Sequence, residues 1–122
     1  MTDLYAFYGS LRMGMSNYGR YKDSIQFVQR NTITGFELYS LGDYPYAVKS
    51  NDKDQTLVVE IYRVIDPMVQ AAIHKLEIDA GYYRDLINLD GLEAFIYLFD
   101  SRGNDTWVES GDWVQFFGDN SK

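Results

Sequence analysis

The sequence predicts an α+β domain. Many short segments alternate in hydropathy at the two-residue period of strands, whereas only one segment combines helical spacing with a cap. No repeat, low-complexity stretch or linker divides the 122 residues, a length that suits one domain with its own core. The reading is a single domain over 1–117, built on a strongly curved sheet or barrel, with 118–122 as a frayed tail.

The first strand runs from Leu4 to Ser10. Leu4, Ala6 and Tyr8 alternate with Tyr5 and Phe7, so both faces are apolar, as in a central strand covered on two sides. The stretch to Arg20 carries Gly14, Ser16, Asn17 and Gly19 and reads as an ordered loop. Gln26 to Leu41 reads as strand with a bulge or bend at Gly35. Extended structure resumes at Tyr46 to Lys49, "SNDKDQ" forms a hairpin loop, and Leu57 to Val64 is a further strand, which together predict antiparallel organisation. The single helix begins at Asp66 as cap and Pro67 as first residue, repeats Val69, Ala72, Ile73 and Leu76, and stops at Gly81. Tyr83 to Leu89 and Ala94 to Phe99 flank a turn at Asp90 and Gly91, and "DSRGND" leads to Trp107 and Val108.

Composition narrows the function. A net charge of −7 argues against nucleic acid as a partner, because phosphate recognition needs clustered Lys and Arg. Asp3 stands where a secretory leader would be basic, and the apolar stretch from Leu4 to Tyr8 is too short for a leader core or membrane span, which predicts a cytoplasmic protein with no membrane partner. Cysteine is absent and His74 is the only histidine, so the sequence predicts no metal site and no thiol chemistry. "DSRGNDTWVE" departs from a calcium loop at Arg102 and Asp105. No serine sits in a nucleophile elbow, and the glycines of "GSLRMG" are wrongly spaced for a dinucleotide, so no cofactor is predicted.

Two features remain. The strand leading into "YGSLR" ends in a turn that is either an ordinary strand end or a nest of N–H groups from Gly9, Ser10, Leu11 and Arg12 able to hold an anionic oxygen. Glu77 follows Ile73 by four residues, at the edge of the inward helix face; it is either a solvated helix-end glutamate or a desolvated carboxylate able to exchange protons near neutral pH. His74, one turn earlier, is read as a surface residue, and Glu60 as a buried carboxylate paired with an arginine.

"FYGSLRMGMSN", "LYSLGDYPYAV", "LVVEIYRV", "KLEIDAGYYR" and "VESGDW", in this order, resemble the γ-glutamylcyclotransferase-like family, which includes the plant avirulence-induced-gene proteins. The resemblance spans nearly the whole chain. It implies a small mixed β-barrel with few flanking helices, substrate binding by the backbone of the turn, and Glu77 as general acid and base. It further implies a substrate-binding set of Tyr8, Gly9, Ser10, Leu11 and Arg12 of the turn, Asn17 after it, Pro45 and Tyr46 of "DYPY", and Tyr83. His74 replaces a frequent aspartate, Ile78 a frequent glycine after the acid, and Val59 another before Glu60.

The implied reaction is attack of a substrate's own α-amine on its γ-glutamyl carbonyl, releasing 5-oxoproline and an amine or amino acid, with no cofactor. A γ-glutamyl group on a larger scaffold, and a non-catalytic module for a small anion or a partner, are the competing readings.

Overall fold

The centre of the fold is β1 (Leu4–Phe7), buried along its whole length. In the computed structural model, which describes residues 2–120, β1 pairs antiparallel with β5 (Thr56–Arg63) and parallel with β7 (Leu92–Leu98). β2 (Gln26–Thr34) and β6 (Tyr83–Leu89) complete a five-stranded sheet in the order β2-β5-β1-β7-β6. The alternation in β1 is therefore that of a strand covered on both faces. Leu4, Ala6 and Tyr8 join one core cluster with Leu57, Val59, Ile96 and Trp113, while Tyr5 and Phe7 join another with Tyr62, Ile73, Phe95 and Tyr97.

β3 (Phe36–Ser40), β4 (Pro45–Lys49) and β8 (Thr106–Trp107) form a second, three-stranded sheet in the order β4-β3-β8. One expectation is sharpened here and one changes. Gly35, with φ of 85°, is the point where the chain leaves one sheet for the other. The loop 50–55 is not a hairpin, because β4 pairs with β3 whereas β5 pairs with β2 and β1. The organisation is antiparallel except for the parallel pairing of β1 and β7. No strand pairing among the described residues closes the two sheets into a barrel.

Three helices are present among the described residues, where the sequence predicts one. α1 (Tyr18–Tyr21) is a single turn inside the expected loop. α2 (Pro67–Asp79) matches its signals, since the Asp66 side chain accepts from Met68 N–H at 2.9 Å and Pro67 opens the first turn. Ile73 is fully buried and anchors α2, a burial that contributes about 1.5–3 kcal/mol.

α3 (Trp113–Asn120) comes from a signal the sequence reading passes over. Asp112 caps it, with Oδ1 accepting from Gln115 N–H at 3.3 Å, and Trp113, Phe116 and Phe117 lie at helical spacing against the core. The helix runs through the first part of the segment read as a tail; 121–122 lie outside the described residues. No helix among the described residues is long and apolar enough to cross a membrane.

Candidate active site

Where β1 ends, Gly9 to Arg12 make a tight turn closed by Arg12 N–H donating to the Gly9 carbonyl at 3.0 Å. The Ser10 carbonyl accepts from Asn17 N–H at 2.9 Å and Tyr18 N–H at 3.1 Å, and Asn17 Nδ2 donates to Ser10 Oγ at 2.9 Å. The turn is thus braced by its own loop. A side chain at position 9 would have no room, since a Cβ there would lie 2.9 Å from both Cδ and Cγ of Pro45. Ser10 and Leu11, in the middle of the turn, keep amides that close no bond within it.

Arg12 is where the expected site divides. Its amide is used by the turn, and its side chain points into the protein. Nε donates to Glu60 Oε2 at 2.8 Å and Nη1 to Asp112 Oδ1 at 2.7 Å. Met13 N–H donates to Glu60 Oε1 at 2.9 Å, as does the Tyr62 hydroxyl. Burial alone would raise the Glu60 carboxyl, but the Met13 amide, Arg12 and Tyr62 together hold it below its ordinary value. Arg12 therefore fastens the turn to β5 and to the cap of α3.

The last turn of α2 supplies the opposite wall. Gly81 adopts φ of 99°, Gly81 N–H donates to Ile78 O at 3.1 Å and Tyr82 N–H to Glu77 O at 3.1 Å, the pattern of a Schellman cap. The cap ends α2 and directs Tyr82 back beside Glu77. Tyr82 then donates its hydroxyl to the Pro45 carbonyl, which holds the start of β4 over the same space.

These pieces enclose a cavity of about 300 Å³. Tyr8, Gly9, Ser10, Leu11, Asn17, Pro45 and Glu77, all named from the sequence, line it. Arg12, Tyr46 and Tyr83 do not. Arg12 is held by Glu60 and Asp112, and Tyr46 is buried with its hydroxyl on Asp105 and Gly103 N–H. Tyr83 packs against the core cluster around Trp113. Sequence reasoning misses Tyr82, Tyr97, Asp43 and Tyr44 as lining residues. A signal for Tyr97 exists in the alternation of β7, which sets Phe95 and Tyr97 on the face of Tyr5, Phe7 and α2, opposite Ala94, Ile96 and Leu98.

Glu77 is half-buried on the cavity wall. No hydrogen-bond donor or cation among the described residues is paired with its carboxylate, and burial pushes its pKa up to about 7. The carbonyl end of α2 acts in the same direction, since Glu77 lies in the last turn. Among the described residues His74 makes no hydrogen bond to Glu77; its Nδ1 lies 2.9 Å from the Tyr97 hydroxyl. The cavity thus combines a carboxylate that exchanges protons near neutral pH with neutral donors on a rigid turn, an arrangement suited to moving a proton on a small polar molecule.

The family model described as gamma-glutamyl cyclotransferase, AIG2-like, matches residues 5–115. The γ-glutamylcyclotransferase family protein YtfP of Escherichia coli K12 is 35% identical over 109 residues, covering 88% of this chain and 92% of that one. The structure of PH0828 from Pyrococcus horikoshii aligns with a TM-score of 0.82 at 28% identity, over 98% of this chain and 97% of its own. An AIG2-like protein from Mus musculus shares the fold, with a TM-score of 0.69 at 18% identity over 84% of this chain and 80% of its own. The chain belongs to the γ-glutamylcyclotransferase, AIG2-like, family.

Proposed function

We propose that the protein is a γ-glutamylcyclotransferase in which Glu77 is the general acid and base. The observation that carries this reading is a carboxylate, without a paired donor among the described residues, on the wall of a cavity that Ser10 and Leu11 of the turn also line. We read the two sheets, bridged by Phe99 N–H to Ala47 O at 2.9 Å, as the barrel-like wall around it.

The substrate's α-ammonium has a reference pKa near 8, within about one unit of Glu77, so proton transfer between them is nearly balanced. Glu77 takes that proton, the freed amine nitrogen bonds to the γ-carbonyl carbon, and negative charge develops on the carbonyl oxygen. The bond from that carbon to the leaving nitrogen then breaks as Glu77 returns its proton to that nitrogen, and the ring nitrogen gives up its second proton through the freed Glu77 carboxylate, so that the released amine departs as an ammonium. The products are 5-oxoproline and an amine or amino acid. Both reacting groups belong to one molecule, so the cavity mainly has to fold the substrate. The Ser10 and Leu11 amides are suited to an anionic oxygen.

The test is 5-oxoproline release from a panel of γ-glutamyl amino acids, γ-glutamyl amines and glutathione. Glu77→Gln is expected to lower kcat by about 10²–10⁴-fold. The acidic limb of the rate profile is expected near pH 7, well above the ordinary glutamate range. Release undiminished in Glu77→Gln would remove Glu77 from the chemistry and turn attention to Glu60 or Glu93. No release from any member of the panel would favour a non-catalytic binding module.

A further inference from the structure

Three buried tyrosines line the cavity, and their hydroxyls are engaged differently. Tyr8 donates to the Tyr97 carbonyl and accepts from Ala47 N–H at 3.1 Å. Tyr82 donates to the Pro45 carbonyl. Both are committed to backbone partners. The Tyr97 hydroxyl instead meets His74 Nδ1 at 2.9 Å, with the Arg84 guanidinium beside it. Burial raises the Tyr97 pKa, and the Glu77 charge pushes the same way despite the opposing pull of Arg84, which places the Glu77 carboxylate in the electrostatic neighbourhood of this hydroxyl.

A phenol offers one proton and two lone pairs. Arg84, whose guanidinium lies over the Phe95 ring 4.0 Å from its centroid, can only donate, so it competes for a lone pair and not for the phenol proton. The half-buried His74 ring can keep its proton on Nε2 and accept the Tyr97 proton at Nδ1. One lone pair of Tyr97 is then left over, on a side chain that lines the cavity. The lining residues include two carboxylates, Glu77 and Asp43, and no cationic side chain. A cationic group of the substrate therefore has two carboxylates to choose from, of which Glu77 is the one whose charge reaches Tyr97, while the turn offers neutral amides to an anionic group.

We infer that Tyr97 contacts the substrate, its hydroxyl oxygen sharing the α-ammonium group with Glu77, and that His74 is the positioning residue that fixes the direction of the Tyr97 hydroxyl. This rests on the cyclotransferase reading for the identity of the ligand. It requires only the cavity geometry for the pairing of Tyr97 with an ammonium. His74 then has a role in this chain although it never touches the reacting atoms.

The experiment compares wild type, Tyr97→Phe, His74→Phe and His74→Gln, with thermal unfolding as the check that each variant is folded. Steady-state kinetics use whichever γ-glutamyl compound wild type turns over best. Calorimetry measures binding of L-glutamine, of its des-amino analogue and of 5-oxoproline, the last two lacking the ammonium. Tyr97→Phe is expected to raise KM and weaken L-glutamine binding about tenfold, as fits one lost hydrogen bond to a charged group, while the other two ligands change less than about twofold. His74→Phe is expected to reproduce this pattern. His74→Gln, which keeps an acceptor, is expected to recover most of it, and the double Phe variant should be no worse than Tyr97→Phe alone.

Equal weakening of all three ligands, or a His74→Phe protein with wild-type KM and selectivity, would overturn the assignment. If wild type releases no 5-oxoproline, the cyclotransferase reading fails, but the calorimetry still decides. Preference for L-glutamine over its des-amino analogue that disappears in Tyr97→Phe supports the ammonium site. Absence of that preference in wild type rejects it.

Discussion

Glu60 and Glu77 are both withdrawn from bulk water, and their surroundings treat them in opposite ways. Glu60, 1% exposed on β5, receives Arg12 Nε, Met13 N–H, the Tyr62 hydroxyl and, at 3.4 Å, Arg30 Nη2, and it stays charged. Glu77, on the last turn of α2, has a cavity before it and no paired donor among the described residues, and its pKa rises to about 7. Burial is the largest influence on both. What separates a structural carboxylate from a reactive one is whether the fold also supplies donors. Glu60 anchors the turn through Arg12 and Met13, so the satisfied carboxylate holds in place the wall that faces the unsatisfied one.

The most severe way to break this contrast is to remove a partner of Glu60. Arg12→Ala leaves a buried carboxylate short of its main counter-charge and frees Asp112 at the cap of α3, so it is expected to destabilise the protein by about 3–5 kcal/mol in urea unfolding. The paired change Arg12→Met with Glu60→Leu should recover only part of that loss, because Met13 N–H then lacks its acceptor.

Removing the charge of Glu77 should act with the opposite sign. Its pKa is about 7 folded against a reference of about 4.3 for an unfolded chain, so between these values the folded state retains a proton that the unfolded state has released. Stability contributed by that proton is present below about pH 4.5 and is lost as pH rises through about 7. Glu77→Gln does not titrate, so its stability relative to wild type should climb across that window. Allowing for partial access to water, the gain should reach about 1–3 kcal/mol at pH 8 and be near zero at pH 4. A variant that is more stable yet inactive would mark Glu77 as a carboxylate held at a cost to the fold. Equal unfolding free energies at pH 4 and pH 8, relative to wild type, would reject the raised pKa.

Gly9→Ala tests the geometry between the two carboxylates. The added methyl would meet Pro45 at 2.9 Å, so the turn and the start of β4 must separate. A loss of about 1–3 kcal/mol in stability is expected, with weaker 5-oxoproline binding in calorimetry.

The sequence makes these two glutamates unequally legible. Alternation in β1 and β5 places Glu60 inside a doubly covered sheet, and a buried carboxylate demands a partner, so an arginine can be anticipated. The identity of that arginine, and hence the removal of Arg12 from the cavity, depends on a pairing across 48 positions that no local pattern reports. Helical spacing puts Glu77 at the edge of an inward face, but whether that edge meets water or a cavity is set by Tyr82 and Pro45 arriving from elsewhere in the chain. Likewise, "SNDKDQ" has hairpin composition, yet β4 and β5 lie in different sheets because partner choice follows which apolar faces meet. α3 goes unread for another reason. Its cap, Asp112, and its apolar residues Trp113, Phe116 and Phe117 occupy barely more than one turn, too short a window for periodicity to stand out.

The gentlest perturbation sharpens the comparison most finely. Tyr62→Phe keeps the buried ring and deletes one donor, 2.9 Å from Glu60 Oε1, while Arg12 and Met13 remain. The expected cost is about 1 kcal/mol at neutral pH. A second effect should separate lost hydrogen bonding from lost packing. The Glu60 pKa is held low, so its contribution is fully present above the unfolded value and disappears as pH falls through the folded one. With one donor gone, the folded pKa moves upward and the acid-induced loss of stability should begin at a higher pH than in wild type. Urea midpoints followed from pH 6 down to pH 3 measure this directly. Parallel curves for the two proteins would mean that the Tyr62 hydroxyl does not stabilise the charge on Glu60, and that Arg12 and Met13 suffice to keep this carboxylate unlike Glu77.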